Sequence, residues 1–255
     1  HAMHGELQAL FGLPANKIAV VPNGTDPSVF DFHYDARQTR SRYVSEHQQI
    51  VLYVGRMVRE KGVHVLLESV PRVISERPGT QFLFVGTGYY LDDLRRQAQY
   101  MGISHCTHFL GYVGDEELKH LYKSVDAVCI PSLYEPFGIV ALEGMAAQVP
   151  VVTSDVGGLK DFVEHMETGV TTYAGDAGSL AWGLLQVLRN PELSNYLRET
   201  AYDKVQHIYN WKVIARRTRE VYQKVLRESE IVASGLNNVV ESEAVKTVAA
   251  KGKGR

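Results

Sequence analysis

Cysteine is scarce. Cys106 and Cys129 are the only two in 255 residues, and Cys129 sits in an apolar run that reads as a core strand. Such a pair makes neither a disulfide scaffold nor a metal site, so a reducing cytosol is the default expectation. No apolar run reaches the ~18 residues of a membrane span, and no signal peptide is visible. Charge of one sign is not in excess either. The net charge of -2 gives no electrostatic reason to bind nucleic acid or an anionic membrane. The histidines show no metal-ligand spacing. There is no Gly-x-Ser-x-Gly nucleophile elbow, no Walker motif and no internal repeat. His1-Ala2-Met3 has the look of a cloning scar and is set aside. What remains is 45% hydrophobic and 22% charged, ordinary for a soluble globular chain of one large or two small domains.

Against that background a regular alternation stands out. A short helix is expected over residues 4–16, ending at Gly12-Leu13-Pro14, then a strand from Lys17 to Pro22 and a turn at Asn23-Gly24. Residues 31–48 are polar and carry no clear pattern. From Gln49 strands and helices alternate. Strands are expected at Ile50–Val54, Phe82–Val85, Thr107–Leu110, Ala127–Ile130, Val149–Thr153 and Gly169–Thr172. Helices are expected at Val63–Glu76, Leu91–Met101, Asp115–Ser124, from near Phe137, and near Leu159–His165. That order implies a parallel sheet with helices on both faces, which binds ligands at the carboxyl ends of its strands. After residue 176 the chain turns helical, at 177–189, 192–209 and from near Trp211. The expected organisation is a leading segment at 1–16, a Rossmann-like domain at 17–229 and a tail at 230–255. The tail lacks an apolar stripe.

The stretch Ile130 to Gln148, IPSLYEPFGIVALEGMAAQ, carries the chemistry. Pro136 suits a first helical position, which puts Glu135 at or near the N-cap, where Glu is not a preferred residue. Glu143 follows eight residues later, roughly 12 Å along the axis at ~1.5 Å per residue. A glycosidase pair works across about 5–9.5 Å, so these two glutamates do not suit a single reacting bond. They suit the two ends of an elongated ligand. Between them lie the N–H groups of the first helical turn, around Phe137, Gly138 and Ile139, at the positive end of the helix dipole. Hydroxyls at both ends and a diphosphate between them describe a nucleotide sugar.

Glu135-Pro136-Phe137-Gly138 with Glu143 resembles the E-x7-E motif of retaining glycosyltransferases of the GT-B fold, family 4 type, relatives of glycogen and sucrose synthases. Other segments extend the likeness to roughly residues 17–225. Val21 to Asp26 resembles the opening of the second GT-B domain, and Trp211-Lys212-Val213 with Arg216 and Tyr222 resembles its final helix. The resemblance implies that Arg56 and Lys61, on the Gly55 to Gly62 loop, bind the donor diphosphate. It implies that Glu135 contacts sugar hydroxyls and Glu143 the ribose. Arg56, Lys61 and Glu135 are thus the candidate catalytic residues. The candidate donor-binding set adds Gly55, Gly111, Tyr112, Val113, Phe137, Gly138, Ile139 and Glu143. Gly111-Tyr112-Val113 would meet the base through backbone groups, although an ordinary strand-to-helix turn explains that segment equally well. Arg59 matches no role.

Two glycine pairs are less specific. Gly86-Thr87-Gly88 lacks the third glycine of a dinucleotide fingerprint, because Leu91 stands there, so a close approach to a donor or to another loop is expected. Gly157-Gly158 also suggests a tight backbone approach, near the donor sugar in the resembling family. The metal-carrying Asp-x-Asp of the other major glycosyltransferase fold is absent, so no metal cofactor is expected. Only the donor half of a GT-B enzyme is recognisable. Its N-terminal domain, with the acceptor site and a catalytic His, would be the partner, and the acceptor itself is unknown. A GT-B nucleotide-sugar epimerase and a non-catalytic nucleotide-binding module remain as alternatives; Glu-Pro-Phe-Gly speaks against the former.

Overall fold

The computed structural model describes residues 2–45 and 48–229; the tail expected from residue 230 lies outside the described residues. Contacts divide the chain into a unit ending at Trp211 and a second beginning at Lys212. In the second, residues 212–229 are helical, with Thr218 Oγ1 donating back to Ile214 O at 2.9 Å.

The first unit is built on six strands: β1 Ile50–Val54, β2 Gln81–Val85, β3 Thr107–Gly111, β4 Ala127–Ile130, β5 Val151–Ser154 and β6 Val170–Thr172. They form one sheet in the order β3-β2-β1-β4-β5-β6, and every pair is parallel. Helices α1 Ala2–Phe11 and α2 Ala36–Arg40 precede the sheet. Helices α3 Val63–Glu76, α4 Leu91–Tyr100, α5 Asp115–Tyr122, α6 Ile139–Ala146, α7 Ala177–Arg189 and α8 Pro191–His207 alternate with the strands or follow them.

Successive strand residues point to opposite faces, so the apolar central strands feed two cores. Val51 and Tyr53 pack with Val63, Leu66 and Val70 of α3, Leu94 of α4 and Leu184 of α7. Ile50 and Leu52 pack with Leu121 and Tyr122 of α5, Leu142 and Met145 of α6, and Val205 of α8. This covering of both faces is why the strands read as continuous apolar runs rather than alternating ones. The later helices are capped as their sequences suggest. Asp176 accepts from Ser179 N before α7, and Asn190 accepts from Leu193 N before α8, with Pro191 opening that helix.

Three expectations need correction. Lys17 to Pro22 is not a strand. Ala15–Lys17 is a single 3-10 turn, and the following residues have no ladder partner among the described residues until Thr25 bridges to Asn210. Val20 is 48% exposed, so the apolar run there has no sheet to enter. The expected helix at Leu159–His165 is a 3-10 segment at Gly157–Asp161. Finally, α6 starts two residues later than expected. Gly138, at φ 81 and ψ 38, is its N-cap. Glu135 and Pro136 therefore belong to the loop ahead of the helix, and the ~12 Å spacing computed along one helix axis does not apply.

Candidate functional site

The strand order reverses between β1 and β4. The chain leaves β1 toward β2 on one side and leaves β4 toward β5 on the other, which opens a crevice at the carboxyl ends of these two strands. The Gly55 to Gly62 loop follows β1, and the Pro131 to Gly138 loop follows β4. Backbone bonds clamp the two together: Leu133 N and Tyr134 N both donate to Glu60 O, at 2.8 and 3.1 Å. Gly62, at φ 65, allows the clamp to close. A Cβ there would lie 1.9 Å from Pro131 O.

The clamp brings Lys61 to Glu135. Lys61 Nζ lies 2.6 Å from Glu135 Oε2, with the two side chains 19% and 12% exposed. Ser132 Oγ donates to the same oxygen at 3.1 Å, and Gly138 N donates to Glu135 Oε1 at 3.2 Å. The carboxylate thus accepts from a cation, a hydroxyl and a backbone amide, the arrangement that makes a buried charge tolerable. From the other side, Gly158 N donates to Glu135 O at 2.8 Å. A Cβ on Gly157 would come within 2.1 Å of Glu135 O, and one on Gly158 within 2.4 Å of Pro136 O. The double glycine therefore lets the loop after β5 press against the segment that carries Glu135. Gly86 and Gly88 do the same for the β1 loop, where Cβ atoms would meet Gly55 O at 1.9 Å and Met57 O at 2.3 Å. Of the two expectations for Gly86-Thr87-Gly88, approach to another loop is the one observed.

A concavity of about 170 Å³ opens at this junction. Gly55, Lys61, Glu135, Phe137, Gly138 and Ile139 line it, so six of the eleven sequence-selected residues meet in one place. Arg56 is adjacent. Its side chain is exposed, without a hydrogen-bond or ion-pair partner among the described residues, while its carbonyl accepts from Tyr53 OH at 2.9 Å. Gly111, Tyr112, Val113 and Glu143 do not line the concavity. Gly111 O accepts from Gly86 N at 2.7 Å, Tyr112 is 80% exposed, and Val113 packs into the core. Of the three N–H groups expected to be free at the α6 start, those of Phe137, Gly138 and Ile139, Gly138 N is taken by Glu135. The amides of Phe137 and Ile139, and that of Val140 beyond them, have no acceptor among the described residues.

Glu143 stands in the body of α6, half-buried. Tyr122 OH donates to its Oε2 at 2.8 Å, and Oε1 has no partner among the described residues. Burial pushes the Glu143 carboxyl up; the Tyr122 bond pulls it down, and the negative charge of Asp115 adds to the rise. Tyr53, Ser132 and Tyr122 were not singled out from the sequence. Ser132 had a local signal, because Ser-x-x-Glu is the spacing at which these two side chains commonly meet a backbone turn. Tyr122 had none. Its partner lies on another helix. Both cysteines are free and buried, and burial raises the Cys106 thiol to about 11. Among the described residues no group of three or more His, Cys, Asp or Glu could hold a metal ion, and no helix is long and apolar enough to cross a membrane.

Fold and site together define a Rossmann-like α/β domain with its ligand crevice at the switch point of a parallel sheet. The chain belongs to the family described as glycosyl transferases group 1, whose profile matches residues 35–204. It is 38% identical over 222 residues to an uncharacterized glycosyltransferase of Methanocaldococcus jannaschii, covering 86% of this chain and 57% of that protein. It is 36% identical over 221 residues to a glycogen synthase of Mycobacterium tuberculosis, covering 87% and 52%. Among solved structures, the sucrose-phosphate synthase of Thermosynechococcus elongatus matches with a TM-score of 0.73 and 31% identity, over 82% of this chain and 53% of that one. The chain thus spans about half the length of the curated relatives it matches.

Proposed function

We propose that this chain is the donor-binding half of a retaining GT-B glycosyltransferase, which moves a sugar from a nucleotide diphosphate to an acceptor held with the other half. The observation that carries the proposal is the Lys61–Glu135 contact in the crevice between β1 and β4, with the open amides of α6 beside it. A diphosphate needs positive charge and N–H donors; a sugar needs a carboxylate to receive its hydroxyls. Both line one concavity.

The departing diphosphate gains charge as the glycosidic bond breaks. Lys61, drawn from its pair with Glu135, would stabilise that charge together with the exposed Arg56 guanidinium and the Ile139 and Val140 amides. Glu135 would accept from the sugar hydroxyls and Glu143 from the ribose. No metal enters this scheme, because side chains and helix supply the positive potential. In a cytoplasmic setting the nucleotide sugar is the substrate, and the acceptor arrives with the partner domain. The test uses the full-length gene product with UDP-, GDP- and ADP-sugars. Transfer with the donor's anomeric configuration kept in the product, read by NMR, is expected. Inversion, or epimerisation of the donor without transfer, would overturn the proposal.

A further inference from the structure

Tyr122 is the last residue of α5 and is 1% exposed. Its ring packs edge-on against Phe30, with centroids 5.8 Å apart, in the core that also holds Leu121, Val128 and Met145. A phenol hydroxyl in such surroundings is costly unless it is bonded. The bond it makes is to Glu143 Oε2, at 2.8 Å. Helices α5 and α6 precede and follow β4, so this bond spans the strand whose end carries the Glu135 loop. It fixes one oxygen of the carboxylate and leaves Oε1 without a protein partner among the described residues.

We propose that Tyr122 is a positioning residue of this site: it holds Glu143 by one oxygen, so that the other is aimed and free to accept the vicinal hydroxyls of a nucleotide's ribose. This rests on the nucleotide-sugar reading given above. A carboxylate accepts hydroxyl donors at both oxygens and most strongly while it is ionised; protonation turns one oxygen into a donor. Burial works against ionisation of Glu143, Asp115 on α5 works against it as well, and the Tyr122 hydroxyl favours it. Tyr122 thus acts on Glu143 in two ways, by orienting the carboxyl and by sustaining its charge. A tyrosine that merely filled the core would do neither.

Tyr122→Phe keeps the ring and removes the hydroxyl. Two measurements are made on the full 255-residue chain, wild type and variant. The first follows the Glu143 carboxyl carbon by NMR across a pH titration, without ligand. The second titrates UDP, GDP and ADP separately by calorimetry across the same range. The Glu143 midpoint is expected to move up in the variant. Its affinity for whichever diphosphate the wild type binds is expected to fall about tenfold at neutral pH, the equivalent of one hydrogen bond to a charged group, and further in acid. An unmoved midpoint, or an equal loss at every pH, overturns the positioning role. A wild type that binds none of the three nucleotides overturns the nucleotide reading and this role with it. If wild type and variant bind alike, only the role falls. Should Tyr122→Phe fail to fold, Glu143→Gln with Tyr122 intact replaces it. That variant is expected to lose the acid-side decline in binding seen in wild type, and a decline that persists overturns the proposal.

Discussion

The two glutamates of the E-x7-E motif sit eight residues apart in the chain and in opposite kinds of place. Glu135 lies in a loop between two other loops, and its carboxylate is satisfied by a cation, a hydroxyl and an amide. Glu143 lies in a helix against the core, and a single neutral hydroxyl is its partner. Charge is balanced at the first position and carried against burial at the second. The difference matters for function. Glu135 and Lys61 occupy one another, so a ligand must enter an existing ion pair. Glu143 Oε1 has no partner among the described residues, so a ligand bound there as proposed would complete its hydrogen bonding.

The largest expected effect follows from breaking the balanced pair. Lys61→Met leaves the Glu135 carboxylate in a nearly closed setting without its cation. A loss of about 3 kcal/mol in urea unfolding is expected, by analogy with other pairs that lose one buried partner. Arg56→Met is the control. That side chain is exposed and has no partner among the described residues, so stability should change by less than about 0.5 kcal/mol. Both variants should weaken binding of a nucleoside diphosphate and reduce its salt dependence. If Lys61→Met melts like wild type, Glu135 does not depend on the pair.

A smaller loss is expected from the glycine that shapes the Glu135 loop. Gly157→Ala places a Cβ 2.1 Å from Glu135 O at a left-handed backbone position, φ 49. A cost of about 1–3 kcal/mol follows from the strain alone, measurable by the same unfolding curves. An unchanged midpoint would mean that the loop after β5 does not press on Glu135.

The smallest effect has the opposite sign. Because burial raises the Glu143 carboxyl, the folded protein holds a proton there at pH values where the unfolded chain has released it. Its contribution to stability therefore grows as pH falls through that window and is unfavourable above it. Glu143→Gln should slightly raise the urea midpoint at neutral pH, and the gain should vanish in acid, where wild type protonates. Glu135→Gln, which removes the partner of Lys61, should lower the midpoint at neutral pH. Equal shifts in the two variants would erase the contrast between the two positions.

Much of the fold was legible because β1, β2 and β4 are largely apolar runs bounded by turn residues, and β1, β4 and α3 end where the sequence says. Reading failed where a local pattern met a tertiary constraint. Ile18 to Val21 has the composition of a strand, but none of the described residues pairs with it. Pro136 looks like a helix start, but the left-handed Gly138 resets the chain two residues later. In the site, Glu135 and Glu143 could be chosen from motif spacing and Lys61 from the family resemblance, whereas the α6 start was placed two residues early. The Lys61–Glu135 ion pair could not be chosen in this way, since it depends on the loop clamp through Glu60 O. Nor could Tyr122, whose hydroxyl meets Glu143 only after α5 and α6 pack on one face of the sheet.

The most direct test of the two-ended site is a calorimetric titration of wild type, Glu135→Gln and Glu143→Gln with a nucleoside diphosphate and with its sugar conjugate. Glu135→Gln is expected to weaken the sugar conjugate by about ten- to a hundredfold, the worth of a hydrogen bond to a charged group, and to spare the bare diphosphate. Glu143→Gln is expected to weaken both ligands by the same factor. Equal weakening of both ligands by Glu135→Gln, or no weakening of either by Glu143→Gln, would contradict the assignment of the two glutamates to opposite ends of one ligand.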